Sequence, residues 1–147
     1  LPIIGDLLRR VAVAKFTRTM GTMLSSGVAI LEALDIVAKT AGNTTIEKAV
    51  YHVRSGISEG RTMADPLMES GVFPSMVCQM ISVGEQSGEL ENMLQKIADT
   101  YEGEVESQIM AMTAMLEPVM ILVMGLAVGF IVVSILLPIF EMNQMIR

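Results

Sequence analysis

The longest apolar stretch of the chain lies near its C-terminus, between Glu117 and Glu141. Residues 118–140 are twenty-three positions without a charged side chain. A helix rises about 1.5 Å per residue, so this stretch is about 35 Å long as a helix, and the hydrocarbon core of a bilayer is about 30 Å thick. A buried core helix that is apolar on every face would need a much larger protein around it. The pattern therefore predicts a transmembrane helix.

Before this stretch, apolar residues recur every three or four positions, which is the spacing of one helix face. The pattern predicts five helices over residues 7–26, 29–40, 44–59, 62–70 and 74–84. A sixth helix begins at Glu89 and meets no stop signal before Pro118. Because Pro118 lacks the N–H that a helix interior uses, we expect a kink there. The first six residues contain Pro2 and Gly5 and are predicted to be a linker.

Residues that typically begin or end helices stand between these segments. Gly27 follows the first predicted helix and suits its C-cap. Thr44 and Glu47 have the spacing of a capping box, and Thr62 and Asp65 repeat that pattern. No segment shows the alternation of a strand, so we predict an all-α fold.

The predicted architecture is a bundle of six helices whose last helix continues into the C-terminal transmembrane helix. Residues 1–6 are the linker and 7–110 the helical-bundle domain. Residues 111–140 are the transmembrane helix with its membrane-entry turns, and 141–147 a short tail. Too few basic residues flank the span for the positive-inside rule to orient it.

Charge and composition narrow the function. The chain has 147 residues, of which 52% are hydrophobic, and a formal net charge of −6. This charge argues against nucleic acid, whose phosphates attract basic faces. The single cysteine, Cys78, cannot form an internal disulfide, and its apolar neighbours favour a buried, inert thiol. The chain begins at Leu1 rather than Met, so we expect it to be a piece of a longer protein.

The sequence lacks the motifs of several catalytic classes: it has no GxxxxGK[ST] phosphate loop, no GxSxG elbow and no HExxH zinc motif. His52 is the only histidine and falls off the apolar stripe of its predicted helix, which favours a solvated side chain over a metal ligand. Met112 and Met115 have MxxM spacing but are better explained as apolar filler than as copper ligands. We therefore predict no catalytic residue, no cofactor and no metal site.

The strongest polar feature is an acidic run that begins in the turn before the sixth helix. Seven acidic residues accompany one basic residue, Lys96: they are Glu85, Glu89, Glu91, Asp99, Glu102, Glu104 and Glu106. Three interpretations stay open, namely a solvated helix face, a docking surface for a basic partner, and a site for a divalent cation.

Three residues in or beside the apolar stretch are candidates for contacts within the membrane. Gly125 and Gly129 form a GxxxG motif, and small residues let helix backbones approach closely in lipid. Glycine is also common in membrane helices, so an incidental placement stays open. Glu117 stands at the edge of the stretch, where a carboxylate has to be hydrated or paired with a partner.

Several short motifs are specific when taken together. They are residues 14–19 (AKFTRT), 24–28 (LSSGV), 31–34 (LEAL), 73–74 (FP), 83–90 (VGEQSGEL), 116–118 (LEP) and 137–140 (LPIF). Through them the chain resembles the C-terminal part of the inner-membrane platform protein shared by bacterial type II secretion systems and type IV pilus machines. Members of that family usually carry two related helical domains and three spans, and the chain resembles the second domain and the final span. They also commonly have proline where this chain has Ala29.

The resemblance implies a non-enzymatic, oligomeric hub in the inner membrane, with a cytoplasmic helical domain and a periplasmic tail. The implied partners are other copies of the protein, a cytoplasmic assembly ATPase, the transmembrane helices of pilins or pseudopilins, other inner-membrane assembly components and membrane lipid. The last helix, shared by domain and span, is expected to carry movement from one to the other. Overall resemblance leans slightly toward secretion.

The run of residues 84–90 is predicted first as a turn, in which Gly88 ends the fifth helix and Ser87 caps the next. Glu85 and Glu89 are candidates for contact with the ATPase or a neighbouring copy. The alternative function is a tail-anchored receptor or regulator, whose span merely holds a helical binding domain at the membrane. A weaker third hypothesis is a metal-dependent enzyme that uses the acidic run.

Overall fold

The computed structural model describes residues 2–146, which form six α-helices without a strand. The helices are α1 Pro2–Ser25, α2 Ile30–Thr40, α3 Thr44–Ser58, α4 Ala64–Ser70, α5 Ser75–Ser87 and α6 Leu90–Ile146. The predicted all-α fold of six helices, with a last helix that contains the apolar stretch, is confirmed. Leu1 of the predicted linker and Arg147 of the predicted tail lie outside the described residues.

The predicted linker is wrong for residues 2–6, because these residues form the beginning of α1. Proline is tolerated in the first turn of a helix, where its missing N–H would have no helical partner in any case. Asp6 supports this part of the helix through an ion pair with Arg10, with 2.9 Å between Oδ2 and Nε. Pro2 and Gly5 therefore do not interrupt the helix.

A capping side chain defines the start of α3, whereas the N-cap residue of α4 is Met63, whose own side chain makes no capping hydrogen bond. The predicted start of α4 at Thr62 is wrong: the Asp65 N–H does donate to Thr62 Oγ1 at 3.4 Å, but Met63 is the N-cap residue and the helix begins at Ala64. The cap predicted at Thr44 is wrong, because Thr44 is already helical and the Asn43 side chain accepts from the Thr45 N–H at 2.8 Å. Asparagine is among the best N-cap residues, so it takes this position ahead of threonine.

The described chain divides into two compact units, and the division falls inside α6, after Glu106. The first unit contains α1 to α5 and the beginning of α6, and the second consists of α6 from Ser107 onward.

One apolar core holds the first unit together. The rings of Phe16 and Phe73 lie 5.0 Å apart at an interplanar angle of 54°, a tilted arrangement that aromatic pairs favour. Cys78 is fully buried, as predicted, and burial raises the pKa of its thiol. The buried side chains that α6 adds to this core are Leu94, Ile97 and Ala98.

The second unit is a single helix with exposed side chains. It contains an apolar window that is long enough to cross a membrane and is not buried against any other part of the described chain. Pro118 and Pro138 both lie inside the helix, and the kink at Pro118 stays a prediction.

Two glycines shape the turn between α5 and α6. Gly88 has a φ of 75°, in the left-handed region, and ends α5 as predicted. A Cβ on Gly84 would lie 3.0 Å from the Cα of Leu90 and from the Cβ of Met93, so the glycine permits a close approach of the two helices. The cap predicted at Ser87 is wrong, because Ser87 is the last residue of α5 and its hydroxyl donates to the Gly84 carbonyl at 3.4 Å.

Replacing Gly84 with alanine is expected to destabilise the first unit. Overpacking costs about 1–3 kcal/mol, while alanine gains about 1 kcal/mol over glycine in a helix interior, so a net loss is expected. Gly103→Ala is the matched control, because Gly103 is helical and a Cβ there meets no atom within 4 Å. Thermal unfolding in detergent micelles, followed by circular dichroism, measures both. A Gly84→Ala protein as stable as Gly103→Ala would contradict the close approach.

Candidate functional site

Glu85, a predicted partner contact, is turned toward the start of α4. Its Oε1 accepts a hydrogen bond from the backbone N–H of Met63, the N-cap residue of α4. Its Oε2 is buried and has no hydrogen-bond partner within residues 2–146. A carboxylate at this end of a helix occupies a free N–H and interacts favourably with the helix dipole. Glu85 therefore connects the end of α5 to the beginning of α4.

Arg18 of α1 engages the middle of the acidic run. Its guanidinium donates to the carboxylates of Asp99 and Glu102 and to the side-chain oxygen of Gln95, with both Glu102 contacts at 2.9 Å. The hydrogen bond from Arg18 lowers the pKa of Glu102, and the bonds to Glu102 and Asp99 raise the pKa of Arg18. The acidic run is thus partly neutralised inside the first unit.

Arg10 makes a second contact of the same kind, because its guanidinium pairs with Glu104 as well as with Asp6. The side chains are substantially exposed, and ion pairs in such positions stabilise a fold little on their own. The positions of the paired residues nevertheless show the relative direction of the two helices. Arg10 lies at Glu104 and Arg18 lies at Asp99, so α1 and the beginning of α6 run antiparallel.

Three acidic residues of the run keep an exposed, unpaired carboxylate among the described residues: Glu89, Glu91 and Glu106. Glu89, the second predicted partner contact, follows the α5–α6 turn directly. The interpretations of the acidic run as a solvated face or a docking surface therefore apply to these three carboxylates, and not to the run as a whole.

His52 is half exposed and also contacts a neighbouring helix. Its Nε2 lies 2.9 Å from Oε2 of Glu69 in α4, and Arg61 donates to both oxygens of the same carboxylate. Hydrogen bonds from Arg61 and from His52 lower the pKa of Glu69 to about 2. This cluster fastens α3 and the loop before α4 to α4.

The remaining predicted site residues, Glu117, Gly125 and Gly129, lie in the second unit and are exposed. A Cβ on either glycine would meet no atom within 4 Å in the described chain. Ser134, a small residue farther along the helix, donates to the Phe130 carbonyl at 2.8 Å. Within residues 2–146, no other helix packs against the GxxxG surface, and its predicted contact role stays a prediction.

The sequence analysis missed two arrangements, the arginine–acid pairs between α1 and α6 and the hydrogen bond of Glu85 to the start of α4. Arg10 and Arg18 stand about two helical turns apart, and Asp99 and Glu102 are three residues apart, so each pair shares a helix face. These complementary spacings were a usable signal for helix pairing. No such signal existed for Glu85, whose partner is a backbone N–H 22 residues away.

Comparison with known proteins gives a consistent result. The family model for protein F of the type II secretion system (T2SS) matches residues 16–138. The type IV pilus assembly protein PilC of Myxococcus xanthus is 55% identical over 147 residues, 100% of this chain and 35% of that protein. PilC of Thermus thermophilus is 45% identical over 142 residues, 96% of this chain and 35% of that protein. The type II secretion system protein F of Pseudomonas aeruginosa is 38% identical over 146 residues, 99% and 36% of the two chains.

A helical bundle whose last helix contains a candidate membrane span is typical of α-helical membrane proteins. Within that class, the chain belongs to the family of protein F of the type II secretion system, which includes the PilC proteins of type IV pili. Its members are inner-membrane proteins and are generally non-catalytic. The chain spans about a third of the length of the curated relatives it matches.

Removing the Glu85 carboxylate is expected to destabilise the first unit. Glu85→Ala leaves the Met63 N–H without this acceptor, and the loss of a helix cap typically costs about 1–2 kcal/mol. Glu89→Ala, an exposed change four residues along, is the matched control and is expected to unfold like the original protein. Chemical denaturation in micelles, followed by circular dichroism, measures the difference. Equal stability of the two variants would show that the cap contributes nothing.

The cluster of His52, Arg61 and Glu69 is expected to make the free energy of unfolding depend on pH. The pKa of Glu69 falls from 4.5 to about 2 on folding, so its carboxylate stabilises the fold above pH 4.5 and loses this effect as the pH falls toward 2. Between these two pH values, the unfolding temperature of Glu69→Gln should therefore decrease less than that of the original protein. Glu89→Gln controls for the general removal of a carboxylate. If the unfolding temperatures of Glu69→Gln and the original protein fall in parallel as the pH is lowered, the Glu69 carboxylate does not contribute to stability in this way.

Proposed function

We propose that this chain is the C-terminal part of a non-enzymatic platform protein, which couples a cytoplasmic ATPase to the assembly of pilin or pseudopilin subunits. The observation that carries the proposal is the family match over residues 16–138, on a chain whose last helix is suited to cross a membrane. Because the chain covers about a third of its relatives, the activity and partners of the whole protein belong to the proposal.

In this proposal, residues 7–110 form a cytoplasmic domain and residues 111–140 cross the inner membrane with their entry turns. Residues 141–147 reach the periplasm. Several copies assemble into one platform together with other inner-membrane components.

Sequence similarity favours pilus assembly over secretion. The pilus proteins of Myxococcus xanthus and Thermus thermophilus share 55% and 45% identity with the chain, although in Pseudomonas aeruginosa the secretion protein shares 38% and the pilus protein 36%. The two relatives with the higher identities run against the slight leaning toward secretion that the overall resemblance suggested. We therefore favour a pilin as the subunit that the platform handles.

The proposed coupling uses α6, which belongs to both units of the chain. The ATPase turns or rocks the first unit, and α6 carries the movement into the apolar stretch. The sequence contains no GxxxxGK[ST] motif, so in this proposal the energy comes from the partner.

In this proposal, one set of residues contacts the ATPase or a neighbouring copy, and another set makes contacts within the membrane or at its boundary. Glu89 and the other unpaired carboxylates of the acidic run are available to a basic surface of the ATPase or a neighbouring copy. Glu85 is a weaker candidate, because its carboxylate already caps α4. Gly125 and Gly129 offer a close approach to a pilin helix or to another copy, and Glu117 has a partner at the membrane boundary.

Photo-crosslinking in the native cell tests these contacts. One probe replaces Glu89 and another replaces Gly125 in the full-length protein, and the products are identified by mass spectrometry. A third probe at Met68, an exposed side chain of α4, is the control for non-specific capture. We expect the Glu89 probe to capture the assembly ATPase or a second copy, and the Gly125 probe to capture a pilin-type helix.

Capture of only unrelated proteins by both probes would overturn the proposal and favour a tail-anchored regulator. Replacing residues 118–140 with an unrelated apolar helix separates the two functions independently. A regulator keeps its activity after this exchange, because its span is only an anchor. A platform loses pilus assembly, because its span makes specific contacts.

A further inference from the structure

Some basic side chains of this acidic chain form no ion pair within the described residues. The basic residues that do form one are Arg10, Arg18, Lys39, His52 and Arg61. Lys48 of α3 is exposed, and its ammonium group has neither an ion pair nor a hydrogen bond within residues 2–146. Because the formal net charge of the chain is −6, such a free cation is available to an acidic side chain of another molecule.

Lys48 borders a groove between the beginning of α3 and the end of α4. The volume of the groove is about 280 Å³, whereas one water molecule needs only about 10–15 Å³, so a side chain has room to enter. The residues that line this Lys48 groove are Thr45, Lys48, Ala49, His52, Ser70 and Val72.

The polar groups of the Lys48 groove leave hydrogen-bond donors free. The Ser70 hydroxyl donates to the Leu67 carbonyl at 2.6 Å, and His52 is bonded to Glu69. Arg61 holds the same Glu69 carboxylate, which does not pair with the lysine of the groove. The ammonium of that lysine and the Thr45 hydroxyl have no partner among the described residues. Both groups donate hydrogen bonds, so the groove suits a carboxylate.

A second cation without an ion pair lies beside the Lys48 groove. Arg9 of α1 is exposed, and its Nε donates at 2.8 Å to the carbonyl of Val72, which lines the groove. No carboxylate within residues 2–146 pairs with this guanidinium. Arg9 therefore adds positive charge next to the groove and strengthens its preference for an anion.

A matching carboxylate lies on another side of the first unit. Glu106 of α6 is exposed, forms no ion pair among the described residues and comes two residues after Glu104. Helix α3 contacts α2 and α4, whereas the beginning of α6 is joined to α1 by the arginine pairs. Both sites lie at the same end of the bundle, because the neighbouring residues Arg9 and Arg10 reach Val72 and Glu104. Two copies placed side by side can therefore bring the carboxylate of one to the groove of the other.

We propose that the Lys48 groove of one copy receives the Glu106 carboxylate of a second copy, so that first units associate side by side through two unlike faces. Identical copies that associate through unlike faces close into a ring when the rotation between neighbours allows it. Charged contacts of this kind mainly set the register and exclude wrong partners. The inference rests on the assembly of several copies in the proposed function and names the surfaces that meet.

Photo-crosslinking of the full-length protein in native membranes tests this contact. A photo-reactive residue replaces Gly103, which lies one helical turn before Glu106 and at which a Cβ meets no atom within 4 Å. The control probe replaces Glu91, an exposed residue at the start of α6. Each probe is combined with Lys48→Glu or with the matched control Lys96→Glu, because Lys96 is also exposed and without an ion pair among the described residues. A double variant, Lys48→Glu with Glu106→Lys, exchanges the two charges.

We expect the Gly103 probe, unlike the control probe, to capture a second copy at residues 45–52 or 70–72. Lys48→Glu should lower the yield of this product about two- to fivefold, as expected of one exposed ion pair. The exchanged charges should restore the yield, and Lys96→Glu should leave it unchanged. Circular dichroism checks that Lys48→Glu is folded, and Lys48→Gln repeats the test if it is not.

Equal yields for Lys48→Glu and Lys96→Glu would overturn the inference, and so would capture of a different protein by the Gly103 probe. If a second copy is still captured at other residues, the assembly of several copies stands and only the named surfaces are wrong. If the full-length protein is a monomer in mild detergent and neither probe captures a second copy, the assembly of copies in the proposed function fails together with the inference.

Discussion

Helix α6 combines two different kinds of surface, one that packs into the helical bundle and one that is apolar on every face and exposed. The first turns of α6 pack into a bundle in water, and its later turns present apolar side chains on every face. Only Leu94, Ile97 and Ala98 of this long helix are buried, so a short apolar contact joins it to the core. Apolar burial is the main stabilising term of such a contact, and the exposed arginine pairs around it mainly set direction and register.

That constraint explains why the acidic run is not a single functional surface. Arg10 and Arg18 use part of it to align α1 with α6, and Glu85 uses its carboxylate to cap α4. The like charges would otherwise repel one another along α6, and pairing with α1 relieves this repulsion. The carboxylates available to a partner are therefore those that the fold leaves unpaired, with Glu89 first among them.

The apolar residues of helix α1 differ in burial along its length. Its second half buries Phe16 and Met20 in the core, whereas Leu8 of its first half is exposed. A hydrophobic pattern averaged over the whole helix therefore gives no clear apolar face. The division becomes visible only when the direction of the core is known.

The sequence by itself determined the features that depend on neighbouring residues. Helical periodicity located six helices, the uninterrupted apolar stretch located the candidate span, and short motifs identified the family. The error at Pro2 arose because proline marks a helix start as readily as a loop, and only the structure distinguishes the two. Only the tertiary structure decided which acidic side chains are hydrogen-bonded within the fold. Glu85 meets a backbone N–H 22 residues away and Asp99 meets an arginine 81 residues away, and contacts over such separations depend on packing in three dimensions rather than on local pattern.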